Sequence, residues 1–275
     1  MKKACVMGWP VAQSRSPLIH GFWLRAHGVE GAYDAQPVEP ERFPDFARRL
    51  PAAGYVGGNV TIPHKEAAFC AADKTDAAAQ AVGAANTLWF EDGVLCASNT
   101  DVAGFLASMD EQAPGWEAAD RACVLGAGGA ARAIVQGLIA RGIARIDVLN
   151  RTPDRARDMA ARFGAAVSAR PWDERSALAG CAVLVNTTSL GMKGQPPLDI
   201  DLSPMPHGAV VSDIVYAPLE TPLLRDARLR GLRAVDGLGM LLHQAAPGFE
   251  RWFGVRPQVT PELRALIVAD ITGRG

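Results

Sequence analysis

An α/β fold in two domains is what this sequence predicts, and three observations carry it. The chain has 275 residues, more than one average domain needs. Strand-like and helix-like segments alternate along its whole length, as in α/β proteins. The rhythm changes after residue 110, where "E-Q-A-P-G-W-E-A-A-D-R", polar and broken by Pro114 and Gly115, reads as a linker ahead of a more regular second half.

In the first half, "K-A-C-V-M-G" reads as a strand and "S-P-L-I-H-G-F-W-L-R-A" as a helix, with Ser16 as N-cap and Pro17 as first helical residue. "A-Y-D-A-Q-P-V" is the next strand and "E-R-F-P-D-F-A-R-R-L" the next helix. "Y-V-G-G-N-V-T-I" is a strand rich in β-branched residues, and Pro63 suits the first position of the helix after it. "N-T-L-W-F-E-D-G-V-L-C-A-S-N-T-D" is a hairpin turning on Asp92-Gly93, followed by a helix from Val102 to Met109.

In the second half the strands are "A-C-V-L-G", "R-I-D-V-L-N", "A-V-L-V-N-T-T", "A-V-V-S-D-I-V-Y" and "R-A-V-D-G", with helices between most of them. From Leu238 onward the pattern returns to helix. No internal repeat or low-complexity tract interrupts it.

Composition narrows the function. With 49% hydrophobic and 21% charged residues and a formal charge of −1, the chain offers no electrostatic reason to bind nucleic acid or an anionic membrane. No apolar run reaches the roughly 18 residues of a membrane span, and Gly8, Trp9 and Pro10 cut short the apolar stretch of the N-terminus. Five scattered cysteines without a C-x-x-C pair, and no H-E-x-x-H, give no support to disulfides or a metal site. A reduced, cytoplasmic protein is the expectation.

The most specific local signal is "A-C-V-L-G-A-G-G-A-A-R-A-I-V-Q-G-L", a strand, a glycine turn and a helix in succession. Gly126, Gly128 and Ala131 fit G-x-G-x-x-G/A, so Gly126 to Ala130 (Ala127, Gly128 and Gly129 between them) form a dinucleotide-binding turn with the pyrophosphate at the helix N-terminus. The next strand ends not in the acidic residue of an NAD site but in "D-V-L-N-R-T-P-D-R"; Asp147 lies too early. Asn150, Arg151, Thr152 and Arg155 suit the 2′-phosphate of NADP, which arginine pairs in a planar, bidentate way.

The first half collects polar groups at the ends of its strand-like segments, where α/β sheets gather ligand contacts. Ser14 and Ser16 beside a helix N-terminus can receive a carboxylate. Thr61, Asn86 and Asp101 are the other three. Lys65 stands in the opening turn of a helix, where the backbone dipole opposes a cation.

Taken together these segments resemble the shikimate dehydrogenase family. Matching blocks run the length of the chain: "S-R-S-P-L-I-H", "N-V-T-I-P-H-K", "G-A-A-N-T-L", "N-T-D", "G-A-G-G-A-A-R-A", "N-R-T-P-D-R-A", "N-T-T-S-L-G-M", "D-I-V-Y-A-P-L-E-T-P-L-L" and "D-G-L-G-M-L-L-H-Q-A". The resemblance implies reversible, NADP(H)-linked reduction of 3-dehydroshikimate to shikimate, in aromatic amino-acid biosynthesis. It implies an N-terminal substrate domain (1–103, with helices 238–275 returning to it), a Rossmann-type NADP-binding domain (104–237) and an active site in the cleft between them. Ser14 and Ser16 match the family's carboxylate-binding serines. Lys65 and Asp101 match its catalytic pair, and Thr61, Asn86 and Gln244 its hydroxyl contacts. Tyr216 matches a residue near the substrate, and Ile214 and Gly237 residues near the nicotinamide. A monomer or homodimer acting on a small molecule is the implied form.

Gln13, Gly21 and Ala85 depart from the family's usual histidine, asparagine and valine. Gln13 adjoins the carboxylate serines and leaves shikimate against quinate or an amino analogue open. Two rivals stand beside this reading: a quinate/shikimate dehydrogenase that accepts NAD, and a non-catalytic NADP-binding sensor on the same fold. Lys65 is the expected proton donor and acceptor, with Asp101 holding both it and the reacting hydroxyl of the substrate; His64 has no assigned chemistry.

Overall fold

The computed structural model describes residues 1–273. In chain order the elements begin β1 (Lys2–Gly8), α1 (Ser16–Ala26), β2 (Gly31–Pro37), α2 (Phe43–Arg48), β3 (Gly57–Val60), α3 (Lys65–Ala71), β4 (Lys74–Thr75), α4 (Ala77–Val82), β5 (Thr87–Glu91) and β6 (Val94–Ser98). They continue with α5 (Asp101–Gln112), β7 (Arg121–Leu125), α6 (Gly129–Ala140), β8 (Arg145–Asn150), α7 (Pro153–Phe163), β9 (Val167–Pro171) and β10 (Val183–Asn186). The chain ends with β11 (Val210–Asp213), α8 (Pro222–Leu229), β12 (Arg233–Val235), α9 (Gly237–Phe253) and α10 (Pro261–Thr272). The chain divides into two compact units, Met1–Val102 with Leu242–Asp270, and Ala103–Leu241 with the last described residues.

The first unit carries a mixed sheet in the order β2-β1-β3-β5-β6-β4. β1 pairs parallel with β2 and β3, while β5 runs antiparallel to β3 and β6. The β5–β6 hairpin turns on Asp92 and Gly93, both at positive φ (50° and 80°), the twist a two-residue hairpin requires. Cys5, Met7, Val60, Leu88, Leu95 and Ala97 bury one set of side chains against Phe43, Ala47, Leu50 and Ala68. An aromatic cluster of His20, Trp23, Tyr33, Phe249 and Trp252 forms a second packed region. Its last two members come from α9, and the Trp252 indole N–H donates to Leu88 O at 2.9 Å. Gly57 makes that approach possible: a Cβ there would lie 2.4 Å from Trp252 Nε1 and 2.3 Å from Leu88 O.

The second unit carries a wholly parallel sheet, β12-β11-β10-β7-β8-β9. Counted from β7 this is the 3-2-1-4-5-6 order of a dinucleotide-binding fold. Its central strands β7 and β10 are buried on both faces, as a parallel sheet covered on both sides requires. Ala122, Val124, Val183 and Val185 face one core with Ile134 and Leu138 of α6. Cys123, Leu125 and Leu184 face the other with Leu223 and Leu224 of α8.

Three sequence expectations need correction here. The stretch after residue 110 is not a solvated linker: Trp116 is 2% exposed and packs with Phe105. The sequence reading omitted β9, an edge strand in which only Val167 is buried and which ends in Pro171. And α3 begins at Lys65, so Pro63 stands in the turn ahead of it and His64 is the N-cap.

No helix among the described residues is long and apolar enough to cross a membrane, and no group of three His, Cys, Asp or Glu is arranged to hold a metal ion.

Candidate active site

Four chain ends meet one edge of the first sheet, because Met7 pairs with Val60, Asn59 with Thr87, and Thr87 with Ser98. Thr61 therefore follows β3, Asn86 precedes β5 and Asp101 follows β6, all on that edge. The Lys65 amine lies 2.5 Å from Asp101 Oδ2, with the two side chains 20% and 7% exposed. Asp101 Oδ1 accepts from Asn86 Nδ2 at 2.9 Å, and the same amide donates to Gln244 Oε1 at 3.4 Å. The structure thus brings Lys65, Asp101, Asn86 and Gln244 together, the last from α9.

Beneath this group is a buried polar lattice that the sequence reading missed. Asn86 Oδ1 accepts from Thr100 N (2.8 Å), Thr100 Oγ1 (3.1 Å) and Thr87 Oγ1 (3.0 Å). Asn99 Oδ1 accepts from Asp101 N at 3.1 Å, and its amide donates to Ala84 O at 2.9 Å. Asn59 donates to Asn86 O and Thr87 Oγ1, and accepts from Tyr33 Oη at 2.7 Å. These partners are at most 5% exposed apart from Tyr33, so the hydrogen bonds answer a real desolvation cost. The signal for them was the doublet Asn-Thr, which occurs at residues 86–87 and again at 99–100.

His64 acquires a role the sequence did not give it. It is 1% exposed, stacks on Phe43 at 4.5 Å and bonds Val38 O through Nε2 at 2.8 Å. Burial pushes its pKa down, which favours the neutral ring. It fixes the start of α3, immediately before Lys65.

At the other end of this edge, α1 starts one residue earlier than expected. Ser16 is its first residue, Pro17 its second and Arg15 the N-cap, without a side-chain cap. Ser14 Oγ accepts the Ser16 N–H at 3.3 Å instead. Thr61 packs where a Cβ on Gly8 would intrude, 2.4 Å from its Cγ2. Gln13, the departure from the family pattern, is exposed and donates to Pro10 O.

In the second unit the expected residues lie at the C-terminal ends of the strands, where open α/β sheets bind ligands. Gly126 follows β7 at φ 103°, and a Cβ there would meet Thr187 Oγ1 at 2.6 Å. Gly128 is the N-cap of α6 and offers no side-chain cap. Nothing lies within 4 Å of a Cβ on Gly128 or Gly129. The turn therefore presents open space and unpaired first-turn N–H groups, a cradle that fits a pyrophosphate.

The tip of β8 fits the rest of the dinucleotide. Asn150 Nδ2 donates to Thr152 O at 2.8 Å, Thr152 caps α7, and Arg151 and Arg155 are exposed with no salt bridge among the described residues. Asp154, the only carboxylate in that turn, pairs with Arg157. Asp147 is occupied elsewhere: at mid-β8 it takes Arg121 Nη2 and Arg170 Nε, each at 2.8 Å. Two guanidinium groups at a helix start, without a salt bridge among the described residues, are a donor set that fits a phosphate.

Ile214 and Tyr216 follow β11, and Gly237 opens α9. A Cβ on Gly237 would lie 2.3 Å from Ile214 O, so glycine lets these two segments touch.

Comparison with known proteins agrees along the whole chain. Residues 6–88 match the family model of the shikimate dehydrogenase substrate binding domain. Residues 110–191 match that of shikimate / quinate 5-dehydrogenase, and residues 237–266 that of the shikimate 5′-dehydrogenase C-terminal domain. Shikimate dehydrogenase (NADP(+)) of Brucella abortus is 57% identical over 278 aligned residues, covering 100% of this chain and 96% of that one. Among solved structures, shikimate 5-dehydrogenase of Thermus thermophilus in complex with NADP(H) and shikimate has a TM-score of 0.87 at 35% identity, covering 98% of this chain and 100% of the other. Quinate dehydrogenase of Corynebacterium glutamicum in complex with NAD has a TM-score of 0.88 at 28% identity, covering 98% and 99%. With three family models matched in order and a relative identical at more than half its positions from end to end, this chain belongs to the shikimate dehydrogenase family.

Proposed function

We propose that this protein catalyses the reversible reduction of 3-dehydroshikimate to shikimate, using NADP(H). One observation carries the mechanism: the Lys65 amine on Asp101 at 2.5 Å, inside a lattice that also orients Asn86 and Gln244. Bound NADPH supplies the hydride. What the chain must supply is the proton of the new hydroxyl, together with the orientation of the ring.

Lys65 Nζ delivers that proton to the carbonyl oxygen and recovers it in the reverse direction. Asp101 Oδ2 holds the amine, while Asn86 holds the other carboxylate oxygen and so fixes the plane of the group. Ser14 and Ser16 take the substrate carboxylate, and Thr61, Asn86 and Gln244 its hydroxyls. Tyr216 lines the substrate side. Gly126 to Ala130 hold the pyrophosphate, and Asn150, Arg151, Thr152 and Arg155 the 2′-phosphate. Ile214 and Gly237 meet the nicotinamide. Residues 1–103 with 238–275 act as the substrate domain and 104–237 as the NADP domain.

The open glycine turn supports a dinucleotide, and the arginines at the β8 tip, without a salt bridge among the described residues, support NADP over NAD. The reading takes the chain to be a cytoplasmic monomer or homodimer. The test is an assay at 340 nm with shikimate and quinate against both nicotinamide cofactors. Turnover of shikimate with NADP, at a kcat/KM well above every other combination, is the expected result. A preference for quinate with NAD overturns it, and NADPH binding without turnover of either acid leaves a non-catalytic module.

A further inference from the structure

The mechanism above leaves one buried acid unused. Asp213, the last residue of β11, has no exposed surface, and every donor to it is neutral. Oδ1 accepts from Asn186 Nδ2 at 2.9 Å and Val215 N at 3.1 Å; Oδ2 accepts from Thr221 Oγ1 at 2.7 Å. Burial pushes its pKa up to about 6, so at neutral pH the fold tolerates an ionised carboxylate that an apolar side chain would spare it.

What these bonds join is informative. Val215 and Thr221 lie near the start and at the end of the segment 214–221 after β11, which contains Ile214 and Tyr216. Asn186, itself without exposed surface, ends the neighbouring strand β10, and its Oδ1 accepts from Thr188 N and Oγ1 at 3.0 and 2.7 Å. Thr187 in turn donates to Leu125 O at 2.7 Å, the residue before Gly126. Ile214 N is drawn to Asn186 O at 3.1 Å, and Gly237 packs on the backbone of Ile214. A single carboxylate therefore sets two adjacent loops, 186–190 and 214–221, at the edge of the sheet where a dinucleotide lies.

We propose that Asp213 is a positioning residue for the nicotinamide end of the cofactor, acting through Asn186, Val215 and Thr221 on the loop that carries Ile214 and Tyr216. This rests on the assignment of Ile214 and Gly237 to the nicotinamide. Replacing one oxygen by an amide, or removing the Thr221 hydroxyl, leaves the side-chain volumes almost unchanged while freeing the loop. A loop freed to move by roughly 1 Å should weaken the ligand it contacts by about tenfold or more.

The experiment uses the full-length enzyme as Asp213→Asn, Thr221→Val and Thr221→Ser, with NADPH affinity read by fluorescence titration and both KM values by steady-state kinetics. The expected result is a rise of about tenfold in Kd and KM for NADPH in Asp213→Asn and Thr221→Val. KM for 3-dehydroshikimate, which this loop meets through Tyr216 alone, should rise by clearly less than KM for NADPH, and Thr221→Ser should behave as wild type. Unchanged NADPH affinity in the folded variants, or an equal rise in both KM values, overturns the proposal. A wild-type chain that fails to bind NADPH overturns the cofactor assignment as well, which separates the two failures. Should Asp213→Asn not fold, the pair of Thr221 variants decides.

Discussion

Lys65 and Asp101 are each the first residue of a helix, α3 and α5, and their side chains meet at 2.5 Å. The dipole of α5 favours the carboxylate at its start, while the dipole of α3 opposes the ammonium at its own. The acid therefore sits where its charge is welcome and holds a base that is not. That asymmetry explains why the lysine needs its partner and the lattice behind it.

Removing the amine should abolish chemistry without abolishing binding. Lys65→Ala is expected to lower kcat by roughly 10²- to 10⁴-fold, the range of a lost general acid–base group, with KM for shikimate within a few-fold. Steady-state kinetics in both directions check it. A kcat within a few-fold of wild type would remove Lys65 from the proton transfer.

The glycine turn separates folding from cofactor binding. Gly126→Ala forces a side chain into positive φ and to 2.6 Å from Thr187 Oγ1, so the variant should melt earlier, by about 1 kcal/mol or more. Gly128→Ala meets no protein atom within 4 Å. Its melting point should match wild type while NADPH binding is lost, because the new methyl group occupies the space of the pyrophosphate. Calorimetry and fluorescence titration on the two variants read both halves of the prediction.

Cofactor choice should follow the β8 tip. Arg151→Ala and Arg155→Ala each remove a charge-assisted contact worth about 1.5–3 kcal/mol, an increase of roughly 10- to 100-fold in KM for NADP. KM for NAD, which lacks the 2′-phosphate, should hardly move. Parallel losses with both cofactors would show that the arginines do not read that group.

Acid stability should depend on His20. Its ring is buried among aromatic side chains, stacked on Tyr33 at 3.9 Å, with neither nitrogen hydrogen-bonded among the described residues. Burial pushes its pKa down from 6.5 to about 3. A depressed histidine means that the unfolded chain binds the proton first, so this contribution is intact above pH 6.5 and drains away as pH falls toward 3. The full effect is on the order of 5 kcal/mol. His20→Phe keeps the stacking and should flatten the acid limb of stability against pH, as followed by urea denaturation between pH 4 and 7. An unchanged acid limb would mean that His20 does not set it.

Much of this molecule was legible because its local rules agree with its fold. The Asp92-Gly93 hairpin, the strand–turn–helix around Gly126 and the terminal helices all follow from short-range chemistry. The errors came where distant packing decides. Proline and glycine made residues 111–121 resemble a linker, although Trp116 was the counter-signal. β9 lies at an edge and buries almost nothing, so it left no alternating pattern. Thr87, Thr100 and Asn59 were passed over because a polar residue beside a strand reads as a turn; only the pairing of β5 with β3 and β6 turns them inward. Asp213 stood inside a strand-like run, and its partners come from the end of β10 and from the segment after its own strand.

Gln244 reaches the Asn86 amide from α9, more than 150 positions along the chain, and Trp252 closes over Leu88 in the same way. The unit that carries Lys65 is thus discontinuous, whereas the parallel sheet lies within one stretch, Ala103–Leu241. On the ribosome, the later-encoded half can complete its core first, while the earlier-encoded half waits for the final helices to emerge. Translation that stops short of residue 242 would release a complete parallel sheet tethered to a first unit that still lacks Gln244 and Trp252.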